Sequence, residues 1–379
     1  MAHDQPYSDI TVLDMSFGLG SYAARLFADL GADVTRLEPP GGASDRRLMN
    51  ALPEGPARDA ARYTFAFRNT SKSSECVDVD TPDGLARVQT LVGDAHVLFL
   101  ERDGLLADRV AWLREINPAA VLVVMSPFGS NGPHAHWKAN DLTLQAAGGI
   151  AWLSGRGDGP PLRLPVDQSV MIASAYASAA AAAALFDAER TGHGHLIEIS
   201  AQECIAHSLQ NALQVYDLEG VVSSRGGDGA RDAAEMLLPC LDGRVAVASP
   251  LGLGPSWYSL VAWIREEGHA AADILEQPRW SDAKWRRTQA ARDEFREEFG
   301  SFIAGHTRED IMTQALKRKI VMSPVSKIGD VLRDKQLAYR NYFTSLPGIV
   351  PGREVLVPGA PYQFSEAVWA VTPPPLALD

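Results

Sequence analysis

Three groups of residues in this chain have types and spacing that could do chemistry. The first lies in residues 10–42, where Gly18-x-Gly20-x-x-Ala23 follows an apolar run and Glu38 ends the next one about twenty residues on. That is the pattern of a strand, glycine turn, helix and strand in which backbone N–H groups cradle a pyrophosphate and a carboxylate meets a ribose hydroxyl. The second is Asp167, placed after a loop rich in glycine and proline (Gly155, Gly157, Gly159, Pro160, Pro161, Pro165) and directly before a long alanine-rich run. An aspartate there is ordinarily a helix N-cap. The third is histidine: His193 and His195 have metal-like proximity but no third ligand nearby, and His134 and His136 sit in a Gly/Pro loop after an apolar strand, where a side chain can reach a substrate.

These groups need a frame. Apolar runs at residues 76–79, 95–100, 121–125 and 196–199 read as strands, with helices expected over 83–92, 107–116 and the alanine-rich tract from 168 to 185. Strand and helix in alternation imply a parallel sheet covered on both faces. Residues 219–231, containing Ser223-Ser224-Arg225-Gly226-Gly227-Asp228-Gly229, break the rhythm and read as a linker. Beyond it, Asp242-Gly243 is a tight turn into the alternating strand RVAVAS. Helices are expected over 257–267, 288–302 and 308–316, the last opened by Thr307 with Asp310 three residues on. Residues 355–364 read as a returning strand, followed by an extended tail with prolines at 373–375.

Bulk composition narrows the classes. With 379 residues, 46% hydrophobic and 22% charged, the chain has the make-up of a globular protein of two domains. A net charge of −12 argues against a nucleic-acid partner, and an anionic ligand would need a local basic pocket. Cys76, Cys204 and Cys240 form no CxxC pair, which fits buried thiols in a reducing compartment. The opening MAHDQPYSDI has neither a basic nor an apolar leader region, so the expected location is the cytoplasm. The uncharged tract 168–185 is long enough to span a membrane, yet alanine and serine gain little from lipid, so it is read as a tightly packed helix of a soluble protein.

Taken in order, the motifs resemble those of the class III CoA-transferases. At the amino end these are VLD, a turn at Gly18-Leu19-Gly20-Ser21-Tyr22 where the family has Ala-Gly-Pro-Tyr, an alanine-rich helix, LGADV, LE and PPGG. Then come Asn69-x-x-Lys72, Asp78, Thr81-Pro82-Asp83-Gly84, Phe128-Gly129 and Gly132-Pro133. The central signature is Asn140-Asp141-Leu142, Gln145, Gly148-Gly149, Asp167, Arg190-Thr191-Gly192-x-Gly194 and Ile197-Glu198-Ile199-Ser200, and Gly359-Ala360-Pro361-Tyr362-x-Phe364-Ser365 closes the match.

The resemblance implies an α/β protein with a six-stranded Rossmann-like parallel sheet in a large domain (1–218, completed by a return segment 326–379), a linker at 219–235 and a smaller α+β domain at 236–325. It implies two chains interlocked as a homodimer, or a heteromer with a related subunit. It implies Asp167 as the nucleophile that moves coenzyme A from an acyl-CoA thioester to a free carboxylic acid through an aspartyl anhydride and an aspartyl-CoA thioester. From position alone, at the start of the following helix, the N–H groups of Gln168 and Ser169 are the expected oxyanion donors. Coenzyme A is then a substrate, with no tightly bound cofactor and no metal, and its contacts are expected at Gly20, Ser21, Arg46, Lys72, Val77, Arg109, Lys138 and Asn140.

Departures accompany the match. After the fourth strand, Glu101-Arg102-Asp103-Gly104 replaces Asn-Phe-Arg-Pro and sets two carboxylates near the implied CoA path, and Met171 stands where a glycine is common. The related acyl-CoA racemases carry Gly-His-Asp where this chain has Ala139-Asn140-Asp141. Asparagine cannot shuttle a proton at neutral pH, so racemisation is disfavoured. The other readings left open are a non-catalytic partner subunit and a nicotinamide dehydrogenase.

Overall fold

Near-continuous apolar strands build the centre of the structure, a computed structural model that describes residues 5–155, 159–210, 212–223, 225 and 232–377. Gly157 and most of the glycine-rich linker tract (224, 226–231) lie outside the described residues. Strands β1 (Thr11–Met15), β2 (Asp33–Glu38), β3 (Ser73–Cys76), β4 (Val97–Glu101), β5 (Val121–Ser126) and β6 (Leu196–Ser200) form one sheet in the order β3-β2-β1-β4-β5-β6. Every pairing in it is parallel. Val34, Val12, Val97 and Val121 stand in register across its middle, and β5 is buried along its whole length, as a strand covered on both faces must be. The strand order reverses between β1 and β4, and the crevice at their carboxyl ends is where such sheets bind ligands.

Among the described residues, ten α-helices accompany the sheet: α1 (Ser21–Ala28), α2 (Ser44–Ala51), α3 (Pro56–Asn69), α4 (Pro82–Asp94), α5 (Val110–Ile116), α6 (Asp141–Ala147), α7 (Ile150–Leu153), α8 (Gln168–Thr191), α9 (Ala201–Ser208) and α10 (Ala212–Glu219). The alanine-rich tract is α8, which packs Ala173, Ala177, Ala181 and Leu185 into the core formed with α1, β4 and β5. Its small side chains let neighbouring backbones approach closely. The edge strand lies earlier than expected, at Ser73–Cys76 rather than 76–79, because it runs beside β2 from Thr35↔Ser73 to Glu38↔Cys76. Asp78 and Thr81 then turn the chain into α4, the Thr81 hydroxyl accepting from the Gly84 N–H. Cys76 is consequently exposed on the sheet edge, which corrects the expectation of three buried thiols; Cys204 is buried, and burial pushes its thiol pKa up to about 11.

The chain divides into two units, Met1–Val222 with Lys335–Asp379, and Ser223–Asp334. The second unit holds an antiparallel sheet of β7 (Glu235–Cys240), β8 (Gly243–Ala248) and β9 (Met322–Pro324) under helices α11 (Ser256–Glu266), α12 (Ala271–Leu275), α13 (Gln289–Ile303) and α14 (Arg308–Arg318). Trp257, Trp263, Trp280, Phe295, Phe299 and Phe302 fill its core. The turn between β7 and β8 is Leu241-Asp242, since Gly243 already pairs with Cys240.

After α15 (Ile328–Leu332) and α16 (Lys335–Tyr339), the returning segment is a hairpin of β10 (Phe343–Val350) and β11 (Arg353–Pro358), separate from the six-stranded sheet. Its first strand is hard to read because Pro347-Gly348 interrupt it at a register shift. The tail then lies against the first unit, Thr372 O accepting from the Ser71 N–H at 3.0 Å.

The Arg190-Thr191-Gly192-x-Gly194 run now has a physical reason. Gly192 ends α8 at φ 75°, and a Cβ on Gly194 would sit 2.0 Å from the Ala120 carbonyl oxygen, against the start of β5. Gly194→Ala should therefore destabilise the first unit by about 1–3 kcal/mol, the ordinary cost of overpacking, read as a lowered melting temperature; an unchanged melting temperature would refute the close approach.

Candidate functional site

Asp167 occupies the N-cap position of α8, but its side chain caps nothing. The preceding Val166 is held at φ 63°, a left-handed conformation that a β-branched residue adopts only under constraint, and is exposed. The Asp167 carboxylate is 37% exposed and ion-paired to the guanidinium of Arg68 at the end of α3. Arg163 Nη2 stands 4.0 Å from its other oxygen. The cap comes instead from Asp141, the first residue of α6: its Oδ1 accepts from the Ser169 N–H at 3.0 Å and the Ser169 hydroxyl at 2.8 Å. Asp141 Oδ2 meets Gln145 Nε2 at 2.8 Å and Arg163 Nε at 3.1 Å. Borrowing the cap from another helix leaves the Asp167 carboxylate to the guanidinium of Arg68.

The expected oxyanion donors are already engaged. Ser169 N–H belongs to Asp141, and Gln168 N–H bonds to Val166 O at 3.0 Å in the strained turn.

The expected CoA contacts fall into two sets. Arg46 and Lys72 are buried and saturated. Arg46 grips Glu38 with Nη2–Oε1 at 2.6 Å and donates to the carbonyls of Pro375 and Leu376. Lys72 Nζ contacts Asp14 Oδ2 at 2.6 Å, Ser21 O at 2.7 Å and Asn69 Oδ1 at 2.9 Å. Val77 is in the core, where its N–H bonds to Glu38 O. Ser21 is buried with its hydroxyl unpaired, and Gly20 begins α1 where a Cβ would clash with Ser16 and Met125. The remaining three face outward in part: Lys138 is exposed, Arg109 is half-buried at the start of α5, and Asn140 is exposed and caps α6 through Thr143 N–H.

The glycine turn is filled from within. Glu101 Oε1 accepts from the N–H groups of Gly18 at 2.7 Å and Gly20 at 3.0 Å, so the place of a dinucleotide pyrophosphate is taken by the chain's own carboxylate. Burial raises the Glu101 pKa, against the N–H groups of Gly20 and Gly18 that lower it. Glu38 is equally unable to meet a ribose, being fully buried between Arg36 and Arg46. Both findings remove the nicotinamide reading.

The histidines divide as well. His195 pairs with Asp187 at 3.0 Å, and among the described residues no three His, Cys, Asp or Glu gather as a metal site would require. At the carboxyl ends of β4 and β5, His134 stacks on Trp137 with centroids 3.8 Å apart and His136 Nδ1 lies 2.8 Å from Arg102 Nη2.

The residues that sequence reasoning missed are Arg68 and Arg163. Arg163 precedes Asp167 by four, the one signal available, but that spacing pairs charges only on a helix and here it spans a loop.

A family profile described as CoA-transferase family III matches residues 7–377. The succinyl-CoA:(R)-benzylsuccinate CoA-transferase subunit BbsE of Thauera aromatica is 32% identical over 96% of this chain and 90% of its own. The succinyl-CoA–L-malate CoA-transferase alpha subunit of Chloroflexus aurantiacus is 26% identical over 97% and 85%. Among solved structures, a CAIB/BAIF family protein from Brucella suis superimposes with a TM-score of 0.81 at 23% identity, over 98% of this chain and 96% of that one, which shows a shared fold.

Two expectations follow from the buried charges. Lys72→Met leaves Asp14 unpaired where both side chains are fully buried, and should cost about 3–5 kcal/mol of unfolding free energy in denaturant titration; a cost below about 1 kcal/mol would contradict the pairing. Burial raises the Glu38 pKa, but the hydrogen bond from Arg46 and the charge of Arg36 outweigh it and bring the group to about 2. Its contribution to stability is therefore complete above the unfolded value near 4.3 and is lost as pH falls through 2. Glu38→Gln should be less stable at neutral pH and lose less on acidification between these values, measured as melting temperature against pH; parallel profiles would refute it.

Proposed function

The chain belongs to CoA-transferase family III, and on that premise we propose that it moves coenzyme A from an acyl-CoA thioester to a free carboxylic acid with Asp167 as nucleophile. The observation that carries this is the exposed, non-capping carboxylate at the head of α8, in a chain matched along nearly its whole length. Aspartate side chains ordinarily titrate near 3.9, so at neutral pH the nucleophile needs no general base.

An Asp167 oxygen bonds to the thioester carbonyl carbon. The C–S bond breaks and its electron pair leaves on the CoA sulfur, giving an acyl-aspartyl anhydride and a thiolate. The retained thiolate then attacks the aspartyl carbonyl, the anhydride C–O bond breaks, and the first acid departs as its carboxylate from a β-aspartyl-CoA thioester. An incoming carboxylate reverses both steps. One thioester is exchanged for another, so neither ATP nor a metal is called for. Lys138 and Arg109 are the CoA contacts of the original set that keep accessible cationic side chains, and their charge suits the cofactor's phosphates.

The active form in this reading is an interlocked pair of chains in the cytoplasm. Phe186, Leu213, Tyr216 and Leu218 on α8 and α10 expose large apolar surfaces that a second chain would cover. Two relatives carry the word subunit in their names, which favours a related second subunit over an identical one.

Asp167→Ala should lower transfer by more than about a thousandfold while the protein stays folded, with a modest fall in melting temperature from unpairing Arg68. Incubation of the wild-type protein with acyl-CoA and then hydroxylamine should place a hydroxamate on the Asp167 peptide in mass spectrometry. Retained transfer in the variant would sink the assignment.

A further inference from the structure

The charges around Asp167 balance in the resting protein. Two guanidiniums, Arg68 and Arg163, face two carboxylates, Asp141 and Asp167. Arg68 has a side chain only 13% exposed and has Asp167 as its ionic partner. Asp141 cannot take its place without giving up Ser169, Gln145 and Arg163, to which both its oxygens are committed.

Resting on the proposed nucleophile, the reaction itself upsets this balance. When the Asp167 oxygen becomes part of an anhydride, or its carbonyl part of a thioester, the carboxylate charge is gone while both guanidiniums remain. A largely buried arginine without an anion is costly, and its planar fork is shaped to take another carboxylate. A monocarboxylic acyl group brings none. A dicarboxylic one does, since the carboxylate that is not in the thioester stays ionised throughout.

We propose that Arg68 and Arg163 form a carboxylate clamp that selects short dicarboxylic acyl groups, the distal carboxylate of the substrate replacing Asp167 as the guanidiniums' partner while Asp167 is acylated. Both cations lie within ion-pair reach of the reacting oxygens, so the second carboxylate must be only a few carbons from the first. The contact is strongest when Asp167 is neutral, which is the condition for binding energy to favour the reaction over the resting complex. Because donor and acceptor pass through the same charge state, the clamp applies to both acids.

The test has two arms on the full-length protein. In the first, kcat/KM is measured for succinyl-CoA and butyryl-CoA, which share a four-carbon chain and differ in a terminal carboxylate or methyl. The wild type should prefer succinyl-CoA by about a hundredfold, and Arg68→Gln and Arg163→Gln should each cut that preference by about tenfold or more, with Arg68→Lys retaining part of it. Equal rates for the two thioesters overturn the clamp. A uniform loss with both thioesters in the variants does so too, assigning the arginines to holding Asp167 or to the phosphates of CoA.

The second arm needs no turnover. Asp167→Asn neutralises the nucleophile without chemistry, so calorimetric titration should show succinate binding about tenfold more tightly to this variant than to the wild type, with butyrate unchanged and the gain lost in Asp167→Asn/Arg68→Gln. Equal succinate affinity in wild type and Asp167→Asn overturns the clamp. A gain in this arm with no transfer of any thioester in the first would keep the clamp and sink the nucleophile.

Discussion

Three cations and three anions, all buried but the partly exposed Asp45, lie beside the ends of β1 and β2 and govern how the site is assembled. Lys72, Arg36 and Arg46 meet Asp14, Glu38 and Asp45, with Asn69 bridging Lys72 and Arg36. Charges removed from water in this way are tolerable only when each is paired and further hydrogen-bonded, so the geometry has little freedom. That rigidity is passed along the chain. Asn69 is the last residue of α3 and Arg68 is its neighbour, so pinning one fixes where the other can reach. The same network holds the α1 amino end through Ser21 O and the carboxyl tail through Arg46.

Upon that base the head of α8 takes its cap from a residue other than the one at the N-cap position. The N-cap position holds an aspartate, yet the capping interaction is made by Asp141 from α6, itself oriented by an Asn140–Thr143 capping box. A carboxylate that donated its lone pairs to its own helix would be a poor nucleophile. Val166, in a left-handed conformation, turns the chain so that the Asp167 side chain points away from the helix start. Strain of this kind persists where surrounding structure enforces it, here the Gln168-to-Val166 hydrogen bond and the Asp141 contacts.

Much of this was legible in the residues and some was not. The parallel sheet could be read because β4 and β5 are apolar runs whose type is dictated by burial on both faces. The position of β3 could not, because SSEC carries no hydrophobic pattern: an edge strand has little to bury. Asp167 stood out through the family resemblance, since its surroundings of loop and alanine-rich helix read by themselves only as an N-cap. Nothing in a linear sequence tells that Arg46 and Lys72 are buried against Glu38 and Asp14, because both pairs form only on folding. Arg68 was invisible because its partner lies 99 positions away, a distance closed only by folding.

Glu101 shows how a common scaffold can give up its habitual ligand. By resting on the Gly18 and Gly20 amides it acts as a tethered competitor, present at an effective concentration on the order of millimolar or above wherever the protein goes. A free phosphate in solution must displace that carboxylate before it can touch the turn. Strand order and glycine spacing thus stand here as architecture, with the amides of the turn taken up by one side chain.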